Sequence, residues 1–130
     1  MITFFVAGAP KGKGRPRFSR NRAYTPRETV EYEKRIAQSY RGDMHTSPVY
    51  VDITAFFAIP KSYTKKQKSA IENGDLTPTK KPDCDNIGKV VLDALNGIAY
   101  EDDKQVIDLR VTKKYSTEKE GLEITIGGMK

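Results

Sequence analysis

Residues 81–106 read KPDCDNIGKVVLDALNGIAYEDDKQV, and this stretch decides the fold of the chain. It contains six carboxylates, with Asp108 just beyond its end, although the whole chain carries a net charge of +6 at pH 7. Clustered like charges repel one another, so an acidic segment in a basic protein needs a physical reason. A bound divalent cation is one such reason, because Mg²⁺ takes oxygen ligands, usually carboxylates together with water and phosphate.

The middle of this stretch has the periodicity of a helix. Asp85 or Asn86 would be a suitable N-cap, and Asn96-Gly97 is a C-cap signal. Asp85, Lys89 and Asp93 are spaced at i, i+4 and i+8, so they share one side of the helix and can touch. The apolar residues fall on the opposite side, at helical spacing: Ile87, Val90, Val91, Ala94, Leu95 and Ile98. We expect a helix with a buried face that presents an acid, a lysine and an acid to solvent.

More carboxylates lie on either side of this helix. Asp83 and Asp85 are two residues apart, which puts both side chains on one side of an extended chain. Asp102 and Asp103 follow the helix in a turn and could fold back over its start. Each acid taken alone has an ordinary structural interpretation, as a helix cap, a turn residue or half of an exposed ion pair. Capping needs only one acid, however, and this segment supplies several near one helix end.

These residues resemble the signature of a known family. KPDCDNIGKVVLDALNG followed by DDKQV is similar to the motif of RusA-type Holliday junction endodeoxyribonucleases, small resolvases common in bacteria and their prophages. The N-terminal PKGKGRPR and the chain length fit this family as well. The resemblance implies a metal-dependent hydrolase that makes paired phosphodiester incisions in four-way junction DNA during recombination and repair. It also implies a homodimer with Mg²⁺ as cofactor, for which Mn²⁺ can substitute, and no organic cofactor.

The same resemblance implies roles for individual residues. Asp83, Asp85 and Asp103 would be the metal-binding catalytic acids, and Lys89 would be the catalytic lysine. Asp102 is the neighbour that could share the third metal-binding role. Two other functions stay open: a general or flap- or fork-directed metal-dependent nuclease, and a nonenzymatic basic DNA-binding module whose acids are caps and turn residues.

Two basic segments flank the acidic stretch in the sequence. Residues 9–22 contain six cations and no acid, and their glycines and prolines predict a flexible loop suited to phosphate contacts. Residues 61–81 are also cationic and end just before Asp83. Phe18 and Tyr24 could stack on an exposed base, but we expect Phe18 to lie in the core. The predicted DNA contacts are Lys11, Lys13, Arg15, Arg17, Arg20, Arg22, Lys80 and Lys81.

The whole chain predicts one small α+β domain over residues 1–130, with about four strands in a mixed sheet and about three helices. Apolar and alternating runs predict strands at 2–8, 49–59, 105–112 and 122–126, the last two forming a hairpin. A capping box at Thr25-Pro26-Arg27-Glu28 predicts a helix to Tyr40, and Thr64 can cap a short helix to Asn73. His45 is expected to be an ordinary loop residue.

Several classes of protein are disfavoured by composition. There is no run of 18 apolar residues, so no membrane-spanning helix is expected, and the N-terminus resembles a strand rather than a signal peptide. The single cysteine, Cys84, cannot form an internal disulfide, which fits a reducing cytoplasm. A pI near 9.4 indicates a polyanionic partner, nucleic acid rather than membrane. We expect a cytoplasmic, nucleoid-associated protein encoded by a bacterium or phage.

Overall fold

The computed structural model describes residues 1–129 as a four-stranded mixed sheet, three helices and a separate two-stranded hairpin. This confirms the expected α+β fold with three helices. The elements in chain order are β1 (Ile2–Ala7), β2 (Arg17–Ser19), β3 (Arg22–Tyr24), α1 (Arg27–Ser39), β4 (Val49–Ala58), α2 (Lys65–Glu72), α3 (Cys84–Leu95), a 3-10 turn (Asp103–Gln105), β5 (Val106–Ser116) and β6 (Gly121–Gly128).

Strand β4 lies inside the sheet, whose order is β1-β6-β4-β5. It runs parallel to β5 and antiparallel to β6. The predicted hairpin between residues 105–112 and 122–126 is therefore wrong, because β4 separates these two strands. The reason is that β4 is fully buried on one face and half-buried on the other, whereas Ile107 and Leu109 of β5 are exposed. Of these two strands, the more buried β4 takes an interior position, and β5 is left at the edge.

Helix α3 carries the predicted apolar face into the core. Ile87, Val90, Val91 and Leu95 are each 0% exposed. At Gly88, a Cβ atom would lie 3.2 Å from Leu109 Cδ2, so the glycine lets the helix lie close to β5. Two details of the predicted helix are wrong, namely its N-cap residue and the place of Ile98.

The N-cap of α3 is Asp83, not Asp85 or Asn86, so the helix begins at Cys84. At the other end the helix stops at Leu95, with Asn96 as C-cap as predicted. Ile98 therefore lies beyond the helix and is 41% exposed, outside the buried face to which the sequence pattern assigned it.

Helix α1 covers the core beside α3. Its N-cap is Pro26 and no side chain caps it, so the predicted capping box at Thr25 is wrong. Instead, the Pro26 carbonyl accepts hydrogen bonds from the amides of Thr29 and Val30. The helix buries Thr29, Tyr32 and Ile36. Helix α2 begins as predicted, with a capping box between Thr64 and Gln67.

The basic segment near the N-terminus is not simply a flexible loop, because part of it forms the β2–β3 hairpin. Arg20 and Asn21 make the turn with φ angles of 51° and 63°, as the two central residues of a tight hairpin turn require. Phe18 is 76% exposed, so its predicted place in the core is wrong. Because β2 and β3 form their own two-stranded sheet, this ring is not carried into the main core. No helix within residues 1–129 has the length and apolar character to cross a membrane.

Candidate functional site at helix α3

The polar face of α3 is built as the sequence predicts. Asp85 and Lys89 are exposed and Asp93 is half-buried. Lys89 Nζ lies 3.8 Å from Asp93 Oδ2, a loose i,i+4 pair in which the lysine side chain remains 63% exposed. Asp83 holds the N-cap position without making a side-chain capping hydrogen bond. Its carboxylate is therefore not used in capping, the ordinary role of an aspartate at this position.

Lys13 joins the N-terminal basic segment to this face. Its Nζ lies 2.8 Å from Glu33 Oε2 on α1 and 3.1 Å from Asp93 Oδ2 on α3. Burial alone would lower the pKa of Lys13, but the hydrogen bonds and charges of both carboxylates outweigh it and the pKa is raised. Its backbone amide also donates to the Asn86 carbonyl at 3.1 Å. Lys13, predicted as a DNA contact, thus makes internal ion pairs, and no local sequence signal identified Glu33 as its partner.

The two adjacent aspartates after α3 differ in their surroundings. Asp102 caps the 3-10 turn by accepting a hydrogen bond from the Lys104 amide at 3.0 Å, and this bond lowers the pKa of Asp102. The pKa of Asp103 is raised, first by its hydrogen bond with Asp102, then by burial and by the charges of Asp102 and Asp93, with Lys89 opposing the shift. The charges that act on Asp103 therefore include Asp93 and Lys89 on the polar face of α3.

Gln105 holds this turn in place, a role that the sequence analysis missed. Its side-chain oxygen accepts hydrogen bonds from the amides of Glu101 and Asp102 at 2.9 and 3.0 Å. Its side-chain nitrogen donates to the carbonyls of His45 and Ser47, both at 3.0 Å. One amide group thus joins the Asp102-Asp103 turn to the loop before β4. The Gln in the DDKQV motif was the available signal.

Other contacts attach the same turn to α3. Tyr100 is fully buried and its hydroxyl donates to the Leu92 carbonyl at 2.7 Å. The His45 amide donates to the Ala99 carbonyl at 2.8 Å, and the ring Nδ1 lies 3.1 Å from that oxygen. His45 is thus a loop residue with a structural role.

The donor set suits a hard cation, but it is spread out. Asp83, Asp85 and Asp103 offer the carboxylate oxygens that Mg²⁺ prefers. Within residues 1–129, no three acidic, histidine or cysteine side chains converge closely enough to enclose an ion. Mg²⁺ is often held by one or two carboxylates with water and substrate phosphate completing the shell, and the residues present are compatible with that kind of site.

An open groove runs beside the start of α3. Its volume is about 440 Å³, and its lining includes Gly12, Lys13, Arg15, Lys81, Asp83 and Asn86. Of the predicted DNA contacts, Lys13, Arg15 and Lys81 line this groove. Lys11 lies 5.9 Å from the centre of the Tyr32 ring. Lys80 lies 5.7 Å from the Phe57 ring. Arg17, Arg20 and Arg22 extend along the hairpin, so the cations are distributed over a broad surface.

A larger cavity lies elsewhere. It measures about 620 Å³ and is lined by residues of α2 and of the ends of β4 and β5, among them Ile59, Lys68, Ile71 and Tyr115. None of the predicted site residues lines it. An enclosed cavity is what a small ligand needs, whereas the acids and cations here border an open groove, which suits an extended polyanion.

Comparisons with known proteins agree with this surface. A protein-family model described as "Endodeoxyribonuclease RusA" matches residues 7–127. The chain is also similar to the "Uncharacterized protein YqaN" of Bacillus subtilis (strain 168), with 42% identity over 127 residues, which covers 90% of this chain and 89% of that protein. The matched range includes the basic hairpin, α3 and the Asp102-Asp103 turn.

Proposed function

The chain belongs to the endodeoxyribonuclease RusA family, and from this membership we propose that it resolves four-way DNA junctions by paired, Mg²⁺-dependent phosphodiester incisions. The observation that carries the proposal is the groove beside α3, where the cations Arg15 and Lys81 lie next to Asp83. A DNA strand needs positive charge along its phosphates, and hydrolysis of one phosphate needs acidic groups at one point on that path. The groove offers both.

Each polar residue around α3 has a part in the proposed reaction. Asp83, Asp85 and Asp103 would hold Mg²⁺, which supplies water activation and stabilises negative charge on the phosphate oxygens. Of the adjacent pair, Asp103 is the better candidate ligand, because the Asp102 carboxylate already caps the 3-10 turn. Lys89 is 63% exposed, so its ammonium group can approach the reacting phosphate and stabilise the charge that builds there.

The chain's own ion pairs support this assignment of Lys89. Asp93 lies 3.1 Å from Lys13 but 3.8 Å from Lys89. Lys13, which it shares with Glu33, is therefore the nearer partner of Asp93, and Lys89 is only loosely held. A lysine that is not fixed in an internal ion pair can bind a substrate phosphate at little cost.

A homodimer is part of the proposal. A four-way junction has two-fold symmetry, and its resolution requires two matched incisions. A dimer with two-fold symmetry would present two sites related in the same way. Sedimentation at the working protein concentration tests this, and a monomer that resolves junctions with paired incisions would contradict it.

A panel of substrates tests the activity. Labelled four-way junction, flap, fork, linear duplex and single strands are incubated with Mg²⁺, with Mn²⁺ and with a chelator. We expect cleavage of the junction when Mg²⁺ or Mn²⁺ is present, and no cleavage with the chelator. Equal cleavage of junction and linear duplex would indicate a general nuclease. Preferred cleavage of flaps or forks would indicate that another branched structure is the substrate. No cleavage of any DNA would indicate a nonenzymatic DNA-binding module.

The Asp85→Asn variant tests the site within the same panel. The variant should fold normally, because Asp85 lies exposed on the first turn of α3 and contributes nothing to the core. It should retain junction binding in Ca²⁺ and lose cleavage, because asparagine removes a proposed metal ligand. Asp75→Asn, at an exposed acid after α2, is the matched control and should remain active. An Asp85→Asn protein that cuts junctions at the wild-type rate would remove Asp85 from the site.

A further inference from the structure

The β2–β3 hairpin exposes an aromatic ring that the fold does not use. Phe18 is 76% exposed and Tyr24 is 47% exposed. The two strands pair with each other as a sheet of their own, separate from the four-stranded sheet. An isolated two-stranded hairpin gains little stability by itself, and the exposed Phe18 ring adds no core packing to it, so the ring is free to contact a binding partner.

The hairpin has two different faces. Phe18 is paired with Ala23 across the strands, and because side chains alternate along a strand these two lie on one face. The other face carries Arg17, Ser19, Arg22 and Tyr24, with Arg20 in the turn. An apolar face backed by cations suits a partner that is both negatively charged and able to present a flat apolar surface.

The cations of the hairpin are available for such a partner. Arg17, Arg20 and Arg22 are all exposed. No carboxylate within the described chain lies within ion-pair distance of these three arginines. Residues 9–27 contain no acid either. The charge on the hairpin is therefore not neutralised internally, and a polyanion would relieve its self-repulsion.

Both ends of the hairpin are attached close to the candidate site. On one side, the Lys13 amide donates to the Asn86 carbonyl in the first turn of α3, and the Gly14 amide donates to Thr29 Oγ1 at 3.2 Å. On the other side, buried Pro26 starts α1. The hairpin thus emerges beside the helix turn that contains Asp85, so DNA lying in the groove would pass near it.

We propose that this hairpin senses branched DNA, with Phe18 stacking against a base left unstacked at the branch and the three arginines contacting the flanking phosphates. The proposal deepens the DNA-cleaving function proposed above and rests on it. Every base has a flat face on which an aromatic ring can stack. In continuous duplex that face is covered by the neighbouring base pair, so the ring should contribute to binding only where stacking is interrupted.

Three variants of the full chain test the proposal. Phe18→Ala removes the ring, Phe18→Trp keeps an aromatic surface, and Ala23→Ser is a control on the same face. Because Phe18 is exposed, none of these changes should affect folding, which thermal unfolding checks. Affinity is measured in Ca²⁺, without cleavage, for a four-way junction and for a linear duplex of equal length.

We expect Phe18→Ala to weaken junction binding by roughly 5- to 100-fold, the usual range for losing one base–aromatic stack. Duplex binding should change by less than about twofold, since phosphate contacts dominate there. Phe18→Trp and Ala23→Ser should bind like the wild type. With 2-aminopurine at the branch, the fluorescence change caused by the wild-type protein should be lost with Phe18→Ala.

Several results would overturn the proposal. One is that Phe18→Ala binds the junction as tightly as the wild type. Another is that Phe18→Ala loses the same amount of affinity for junction and for duplex. The third is that Phe18→Trp binds the junction as weakly as Phe18→Ala. Cleavage in Mg²⁺ is scored separately. If the wild type cuts no DNA but Phe18→Ala still loses junction affinity, the proposed activity fails and the hairpin proposal stands.

Discussion

Replacing Gln105 by alanine should uncouple the Asp102-Asp103 turn from the rest of the protein. The Gln105 amide makes four hydrogen bonds of 2.9–3.0 Å, two to the amides of Glu101 and Asp102 and two to the carbonyls of His45 and Ser47. Alanine removes all four at once. Asp103 would then lose the support that holds it near Lys89 and Asp93.

The size of the effect follows from these contacts. A hydrogen bond contributes about 0.5–1.5 kcal/mol net, and the lower value applies here because exposed backbone groups can bind water instead. Glu101 and Asp102 are exposed, so the four bonds together should be worth about 2 kcal/mol. For a chain of this length, that corresponds to a fall in Tm of roughly 6–10 °C. Displacement of a catalytic carboxylate by about 1 Å can cost on the order of 100-fold in rate.

Calorimetry and single-turnover junction cleavage measure the two effects. Lys104→Ala is the matched control, since Lys104 lies in the same turn and is exposed, and it should change the free energy of unfolding by no more than about 0.5 kcal/mol. Junction affinity in Ca²⁺ should stay close to wild type, because Gln105 does not line the basic groove. A Gln105→Ala protein with the wild-type Tm and cleavage rate would refute the assignment of Gln105 as the residue that holds the turn.

Two more predictions concern the cations. Lys13→Met should lower the free energy of unfolding by about 1–3 kcal/mol, because Glu33 and Asp93 would be left without their shared partner. Chemical denaturation measures this, and adding Glu33→Gln should recover part of the loss; full stability of Lys13→Met alone would show that the bridge contributes nothing. The dependence of junction affinity on salt should have a slope that falls by roughly 0.9 for each hairpin arginine replaced by alanine. An unchanged slope in the Arg17, Arg20 and Arg22 variants would mean that these side chains do not touch phosphate.

The sequence predicted α3 well because the information is local. The spacing of Ile87, Val90, Val91 and Leu95 is enough to orient the helix, and the orientation of Lys89 and Asp93 follows from it. The cap was less predictable. Asp83, Asp85 and Asn86 are all suitable N-cap residues, and local propensity does not decide between neighbours of equal quality.

The errors arose where distant residues decide the structure. Two consecutive alternating runs predict a hairpin, but β4, which is buried on one face and half-buried on the other, lies between β5 and β6. Lys13 looks like any other cation of its segment, and its ion pairs join it to Glu33 and Asp93, 20 and 80 positions away in the chain. The β2–β3 hairpin lacks the glycine that usually marks such a turn, and Arg20 and Asn21 adopt positive φ without it.

The raised pKa of Asp103 affects the stability of the folded state. The hydrogen bond with Asp102, burial and the negative charges of Asp102 and Asp93 all raise the pKa of Asp103. An acid whose pKa is raised on folding makes the folded state less stable at pH values above its unfolded pKa. The protein therefore carries a local frustration that a neutral residue at this position would remove. Carboxylates that lie close together lower the stability of the fold. Such a loss of stability is common where side chains are arranged for chemistry instead of packing.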